Sequence, residues 1–161
     1  MPKEFPVKKN RFAQISSENF SKIPGSPIAY WLNPVYFDNY KDNQTLNDKI
    51  DIKQGLATGN NDIFLRNWHE IAWSDIGFYF KNIDDFHKSR KKYAPYNKGG
   101  FFRKWYGNGE FVIRFDVVAY EKLLTVGNHL PSRSYYFRDG ITWTLVSTRA
   151  SFGARISNQG Y

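Results

Sequence analysis

Hydrophobic and polar positions near the start of the chain follow no regular period. Residues 1–30 mix lysine, proline, serine and glycine, and the prolines and glycine at 23–28 exclude regular structure there. The apolar residues at 29–37 predict a short strand or a helix that is interrupted at Asn33-Pro34, because a residue before proline avoids the helical region. We therefore interpret residues 1–30 as a connector that leads into a domain.

The middle of the chain predicts strands separated by loops. Apolar and polar residues alternate at 50–53, a glycine- and asparagine-rich loop follows at 54–62, and residues 63–71 again have a strand-like pattern. Ser74 is a candidate N-cap for a short helix that ends near Phe86. This order predicts a strand, an exposed loop, a second strand and then a helix.

A hairpin and a helix are predicted next. Aromatic-rich residues 101–106 and 110–115 flank Gly107-Asn108-Gly109, and Asn-Gly between two β-rich runs is a strong hairpin signal. Asp116 is a candidate N-cap, apolar residues follow it at helical spacing, and Gly127 is placed to end that helix.

The last third of the chain predicts two more strands, at 140–146 and 151–156. The whole pattern is that of a mixed α/β domain of the strand-rich α+β kind over residues 31–161, with more strand than helix. Tyr161 follows a turn-like segment that we expect to lead into another strand. The sequence therefore predicts a single domain that is incomplete at its C-terminal end.

Composition narrows the class of protein. A chain of 161 residues and 18.9 kDa has the length of one ordinary domain, and 41% apolar residues suffice for a core. No run of about eighteen apolar residues and no signal-like start occur, so we expect no membrane association. The absence of cysteine excludes disulfides and cysteine-bound zinc and favours a reducing cytoplasm.

The net charge favours a polyanionic partner. Lysine and arginine number 23 against 15 acidic residues, which gives +8 and a pI near 9.6. Phosphate backbones bind such proteins through counterion release. His69, His87 and His129 lie far apart without a metal-ligand spacing, so we predict no metal site.

Two segments contain candidate nucleic-acid contacts. The 54–62 loop presents amide and hydroxyl side chains, which bond both base edges and phosphates, although a plain hairpin loop is an alternative reading. Residues 88–106 interleave basic and aromatic side chains, and strand alternation there predicts that about half of the aromatics are core. The candidate DNA contacts are Gln54, Thr58, Asn60, Asn61, Lys98, Arg103, Lys104 and Tyr106.

Three ordered motifs resemble a known family. They are the Gly-x-x-Thr-Gly-x-Asn-x-x-Phe loop at 55–64, the basic, glycine-rich and aromatic segment at 95–108, and Tyr-Phe-Arg-Asp-Gly-Ile-Thr-Trp at 136–143. Together they resemble the segment after the catalytic domain in PglX-type enzymes, the adenine-specific DNA methyltransferases of BREX phage-defence systems. The same order is similar to the target-recognition domains of restriction-modification enzymes.

The resemblance implies a fragment of a larger bacterial, cytoplasmic enzyme that transfers methyl from S-adenosylmethionine to adenine N6 in double-stranded DNA. This chain would supply sequence recognition and would adjoin an upstream methyltransferase domain. Asn33-Pro34-Val35-Tyr36 approaches the family's Asn-Pro-Pro-Tyr/Phe motif, but its third position differs and no glycine-rich cofactor loop precedes it. We therefore predict no catalytic or cofactor-binding residue in this chain.

Two other functions fit the residues alone. A stand-alone module for single-stranded nucleic acid or RNA would use the aromatic side chains among the basic ones for stacking. A carbohydrate- or protein-binding domain would use Trp31, Trp105 and Trp143 as a platform.

Overall fold

The computed structural model describes residues 16–127, 129–144 and 153–157. The mixed α/β class is confirmed, but about 35% of these residues are helical and about 16% lie in strands, the reverse of the expected balance. The chain divides into two compact units, Met1–Ile52 and Lys53–Tyr161. The predicted connector at 1–30, the domain at 31–161 and its C-terminal incompleteness stay predictions.

The first unit is built around helix α1, Pro34–Asp42. The helix begins where the sequence predicts an interruption, because Asn33 is extended and its Oδ1 accepts a hydrogen bond from the Val35 N–H at 3.1 Å. Pro34 occupies the first turn, where backbone N–H groups have no partner within the helix, so its missing N–H costs no hydrogen bond. Phe37 packs with Ile23 and Ala29 in a small core. Residues 34–37 thus begin a helix, residues 29–33 form turns before it, and the segment contains no strand.

The second unit contains a three-stranded antiparallel sheet in the order β1-β3-β2. Its strands are β1 (Leu65–Asn67), β2 (Tyr93–Tyr96) and β3 (Phe111–Arg114). In β2, Pro95 lies opposite Val112 of β3, and Tyr93 makes a parallel bridge to Ile76 on the other side. The central strand β3 therefore joins segments that are distant in sequence.

The predicted hairpin at 101–115 is wrong. Residues 101–106 form no strand beyond a one-residue bridge from Trp105 to Arg155. Asn108 is buried, and its Nδ2 donates to the Phe101 carbonyl at 3.0 Å, so the chain closes a wide loop in place of a tight turn. Strand β3 pairs instead with β1 and β2.

Three other local predictions fail: the strand at 50–53, most of the strand at 63–71, and the helix that begins at Ser74. Polar caps at Asn60 and Asn82 explain the last two. Residues 51–60 are irregular, and α2 (Asn61–Phe64) precedes the short strand β1. Helix α3 covers Ile83–Lys88 and begins at Asn82, whose Oδ1 accepts from the Asp85 N–H at 2.8 Å. Ser74 lies only in a 3-10 turn, Trp73–Asp75.

Helix α4, Val117–Thr125, confirms the predicted helix. It buries Ala119 and Leu123 against the sheet residues and against Phe86 of α3, at the centre of the main core. The longest described helices have nine residues, and no described helix is long and apolar enough to cross a membrane.

Strands β4 (Gly140–Trp143) and β5 (Ala154–Ser157) form a separate antiparallel pair, as the two predicted segments indicate. Residues 145–146 and 151–152 of those segments lie outside the described residues. A hydrogen bond connects this pair to the loop after β2: the Asn97 Nδ2 donates to Thr142 Oγ1 at 2.9 Å.

We expect Asp116→Ala to lower the free energy of unfolding by about 1 kcal/mol at neutral pH, because it removes the N-cap of α4. Asp116 Oδ1 accepts from the Ala119 N–H at 3.0 Å, and Oδ2 accepts from Arg114 Nε at 2.8 Å. Partial burial raises the pKa of Asp116, but these hydrogen bonds and the Arg114 charge outweigh it and hold the pKa below its usual value. This stabilisation is therefore present above about pH 4 and is lost as the pH falls through the lower pKa of the folded state.

Urea denaturation of the native protein, Asp116→Ala and Asp116→Asn at neutral and acidic pH measures this effect. Asparagine keeps the cap but cannot ionise. Asp116→Asn should therefore be more stable than Asp116→Ala, and its free energy of unfolding should depend less on pH than that of the native protein. An Asp116→Ala deficit of the same size at both pH values would contradict the assignment.

Candidate nucleic-acid interface

The glycine- and asparagine-rich loop is exposed but held at defined points. The Tyr96 hydroxyl donates to the Leu56 carbonyl at 2.7 Å, and this bond fixes the first half of the loop. Thr58 is buried, and its hydroxyl donates to Asn61 Oδ1 at 2.6 Å. Asn60 caps α2 by accepting from the Ile63 N–H at 3.2 Å. The Thr-Gly-Asn-Asn motif is thus a loop-to-helix junction.

Two glycines allow the loop backbone to touch the end of α4. Gly59 and Gly127 have φ of +69° and +64°, a region that favours glycine. A Cβ on Gly59 would lie 2.5 Å from the Gly127 nitrogen, which no real side chain tolerates. Gly127 was predicted only as the end of a helix, and its contact with the loop could not be read from a local pattern.

These contacts separate the four predicted residues of the loop. Gln54, Asn60 and Asn61 are exposed and accessible to a partner. Thr58 is 3% exposed and its hydroxyl is used within the loop, so in this structure it shapes the loop. The exposed amides, and not the hydroxyl, are the groups that the loop presents.

A polar groove brings Asn61 together with Lys98. The Lys98 ammonium lies 4.8 Å from the centre of the Phe111 ring, which holds the charge at the groove wall. The groove measures about 320 Å³. It is lined by Asn61, Asp62, Leu65, Arg66, Asn67, Glu70, Lys98 and Phe111.

Arg66 and Glu70 are site residues that sequence reasoning missed. Arg66 Nη1 donates to the Asp62 carbonyl at 2.7 Å, which orients its guanidinium. Bonds from the Asn67 side chain at 3.0 Å and backbone N–H at 3.1 Å lower the pKa of Glu70, so it stays ionised. Donors and acceptors therefore stand side by side, an arrangement better suited to base edges than to phosphates alone.

Residues 99–106 are exposed and Lys98 is half-buried. The expectation that about half of the aromatics at 88–106 are core is wrong, because none of them is fully buried and only Tyr96 packs against the core. Phe101, Trp105 and Tyr106 are 86%, 64% and 63% exposed. The reason is that strand β5, and not a hairpin partner, supports the segment: the Trp105 N–H donates to the Ala154 carbonyl at 3.1 Å. Arg103 and Lys104 are exposed beside them. The four predicted contacts after residue 97 thus lie on one continuous stretch.

Part of the basic run that precedes β2 is used within the fold. Lys91 Nζ donates to the Ser74 carbonyl at 2.6 Å, and Lys92 pairs with Asp75 at 3.3 Å. Lys88 and Arg90 remain exposed. Fewer positive charges are therefore available to a partner than the number of basic residues in this segment suggests.

The described histidines have structural contacts. His87 Nε2 lies 3.0 Å from the Phe115 carbonyl oxygen, and His129 Nδ1 lies 3.0 Å from the Leu124 carbonyl oxygen. Within the described residues, no three histidine, aspartate or glutamate side chains come close enough to hold a metal ion.

The chain is related to adenine-specific methyltransferases, and the resemblance carried by its three motifs is confirmed. It is 36% identical over 157 residues to the adenine-specific methyltransferase PglX of Lacticaseibacillus casei (strain Zhang), which covers 89% of this chain. It is 35% identical over 153 residues to the adenine-specific methyltransferase BrxX of Escherichia coli O9:H4 (strain HS), which covers 94% of this chain. The chain spans 12% of the length of each relative. No family model matches it.

Proposed function

We propose that this chain is the DNA sequence-recognition portion of an adenine-specific (N6) DNA methyltransferase of a phage-defence or restriction-modification system. The observation that carries the proposal is its identity of about 35% to two adenine-specific methyltransferases over about nine-tenths of this chain. The exposed loop amides, the mixed polar groove and the basic, aromatic segment support it. Such an enzyme acts on double-stranded DNA in the bacterial cytoplasm.

Methyl transfer itself belongs to another part of such a protein. S-adenosylmethionine supplies the methyl group in these enzymes, and the glycine-rich loop of this chain does not fit a site for it. In the glycine-rich loop, Gly59 packs against the backbone at Gly127, so that glycine opens no space for a ligand. We assign cofactor binding and catalysis to an upstream methyltransferase domain.

The polar groove and the basic, aromatic segment suit different parts of a duplex. Lys98, Asn61 and Glu70 offer a cation, an amide and a carboxylate, the groups that read guanine, adenine and cytosine edges in the major groove. Arg103 and Lys104 carry charge without an ion-pair partner among the described residues, which suits phosphate oxygens. The groove would specify the sequence and the segment would position the duplex.

We expect Lys98→Ala and Arg103→Ala each to weaken duplex binding about tenfold. Fluorescence anisotropy with the full-length protein, on a duplex selected from a random library and over a range of salt concentrations, measures this. Arg103→Ala should also reduce the slope of log affinity against log salt by about one, because the proposal places its cation on a phosphate. Lys122→Ala, which removes the same charge from the exposed face of α4, is the matched control.

S-adenosylmethionine binding should be unchanged in all three variants, because none of these residues touches a cofactor in the proposal. Equal duplex affinity for Lys98→Ala, Arg103→Ala and Lys122→Ala would contradict the proposed interface. Loss of cofactor binding in Lys98→Ala would contradict the division between recognition and catalysis.

The exposed aromatic side chains favour a second candidate, binding of single-stranded nucleic acid. Phe101, Trp105 and Tyr106 expose most of their ring surface beside basic residues, as stacking platforms do. Tighter binding to a single strand than to the selected duplex, lost in Trp105→Ala, would replace the duplex proposal by this one.

A further inference from the structure

The outer edge of strand β1 carries two charged side chains of the polar groove. Strand β1 lies at one edge of the three-stranded sheet, with β3 on its inner side. The Trp68 N–H donates to the Glu110 carbonyl, just before β3, at 3.0 Å. Backbone groups of successive residues alternate in direction along a strand, so those of Leu65 and Asn67 point away from β3.

Arg66 and Glu70 each occupy one of these outward backbone groups. Arg66 Nη1 donates to the Leu65 carbonyl at 2.5 Å and to the Asp62 carbonyl at 2.7 Å. Glu70 Oε2 accepts from the Asn67 N–H at 3.1 Å, and Oε1 accepts from Asn67 Nδ2 at 3.0 Å. These Asn67 bonds lower the pKa of Glu70, and the nearby Arg66 charge adds to the effect. The guanidinium and the ionised carboxylate therefore lie side by side on one edge.

Both side chains keep hydrogen-bonding capacity for a partner. Arginine has five N–H donors, and Nη1 uses its own within the fold, so the Nε and Nη2 donors of Arg66 remain as a fork of two parallel donors. Each Glu70 oxygen accepts one hydrogen bond and has another lone pair. Within the described residues the two side chains form no ion pair with each other. Both are exposed and line the same groove, so one ligand reaches both.

The combination of fork and carboxylate suits a base pair better than a phosphate. A phosphate on Arg66 would be repelled by the Glu70 carboxylate beside it. In the major groove, guanine presents two neighbouring acceptors, N7 and O6, and its cytosine presents the N4 donor next to O6. The fork fits the guanine acceptors and the carboxylate accepts from cytosine. An adenine–thymine pair in the same place exchanges O6 for a donor and N4 for an acceptor, which opposes both side chains.

We infer that Arg66 and Glu70 read one guanine–cytosine base pair, Arg66 through the guanine and Glu70 through the cytosine. The inference rests on the proposed function, because it requires the polar groove to face the major groove of a duplex. Both residues would determine which sequence is bound, and would not supply general affinity for DNA.

Arg66→Lys tests the inference, since it keeps the positive charge but removes the fork. Fluorescence anisotropy measures binding of the full-length protein to the selected duplex and to duplexes in which each guanine–cytosine pair is replaced in turn by adenine–thymine. We expect one position where the native protein prefers guanine–cytosine by about tenfold or more and Arg66→Lys by less than about threefold. At that position 7-deazaguanine, which lacks only the N7 acceptor, should weaken binding of the native protein but not of Arg66→Lys.

Matched variants separate base reading from charge. Arg103→Lys makes the same exchange at an exposed residue that we propose contacts a phosphate, so it should keep the native preference at every position. Glu70→Gln should weaken the preference at the same position as Arg66→Lys, whereas Glu121→Gln, on the exposed face of α4, should not. Thermal denaturation shows whether each variant folds. If Arg66→Lys does not fold, Glu70→Gln and 7-deazaguanine carry the test.

The inference is overturned if folded Arg66→Lys and Glu70→Gln retain the native preference at every position, in which case the two side chains only cover the edge of β1. An equal loss of affinity for all duplexes in Arg66→Lys would also overturn it, because that result indicates a phosphate contact. A native protein without any preference among duplexes contradicts the proposed function, and the inference with it. The native protein alone therefore distinguishes the two failures.

Discussion

Gly127→Ala is expected to destabilise the second unit by about 3 kcal/mol and to displace the exposed loop. An alanine Cβ at 127 would collide with the Ala57 carbonyl oxygen and would lie 2.9 Å from the Gly59 nitrogen. Both neighbours are backbone atoms, so no side-chain rotation relieves the overlap, and φ is +64°. For a domain of this size the melting temperature should fall by about 12 °C or more, as measured by calorimetry.

Gly55→Ala is the matched control for this change. Gly55 lies in the same loop, but its φ is not in the left-handed region and a Cβ there meets no atom within 4 Å. Its melting temperature should stay within a few degrees of the native value. If Gly127→Ala and Gly55→Ala have the same melting temperature, the close packing of the loop on the end of α4 is refuted. Gly127→Ala should also weaken duplex binding below its melting temperature, since the loop amides move with their backbone.

Phe86→Ala is expected to lower the free energy of unfolding by about 4 kcal/mol. Phe86 is completely buried, and its ring centre lies 5.4 Å from that of Phe80, 5.8 Å from Phe115 and 5.5 Å from Phe137. The substitution removes the residue that joins α3 to the sheet and to the segment after α4. Urea denaturation of the protein measures the loss.

Phe86→Leu separates the aromatic contacts from simple volume. Leucine keeps much of the apolar bulk, so its cost should be well below that of alanine. Exposed Phe101, with 86% of its surface accessible, provides the control: Phe101→Ala should leave stability within about 0.5 kcal/mol. An equal loss for Phe86→Ala and Phe101→Ala would mean that α3 does not anchor this core.

Some local signals in the sequence predicted local structure correctly. Asp116 begins α4 because a carboxylate that accepts the Ala119 N–H needs only neighbouring residues. The irregular stretch at 23–28 and the position of Gly127 after α4 follow equally from nearby residues. In each case the competing conformations differ over one turn of chain.

The pairing of segments that are distant in the chain could not be predicted from the sequence. The Asn-Gly signal at 107–109 predicts a tight hairpin, yet the Asn108 amide satisfies the Phe101 carbonyl and the flanking residues diverge to other partners. Trp105 pairs with Arg155, about fifty residues later in the chain. Such choices depend on which distant strand is available, and a local pattern does not contain that information.

The candidate site was predicted in part for the same reason. The exposed loop and the basic, aromatic segment were found from composition, and the structure brings Asn61 and Lys98 into one groove. Arg66 and Glu70 were missed because their sequence pattern predicts an ordinary strand at 63–71.

The edge of the sheet formed by β2 has a consequence for self-association. The Gly77 N–H donates to the Tyr93 carbonyl on the side away from β3, so by alternation Pro95 also faces outward, where it has no N–H to offer. This edge is therefore bridged at Tyr93 and is buried at Pro95, two residues later. Neither supports a continuous ladder, so this edge resists strand-to-strand aggregation when the protein is concentrated.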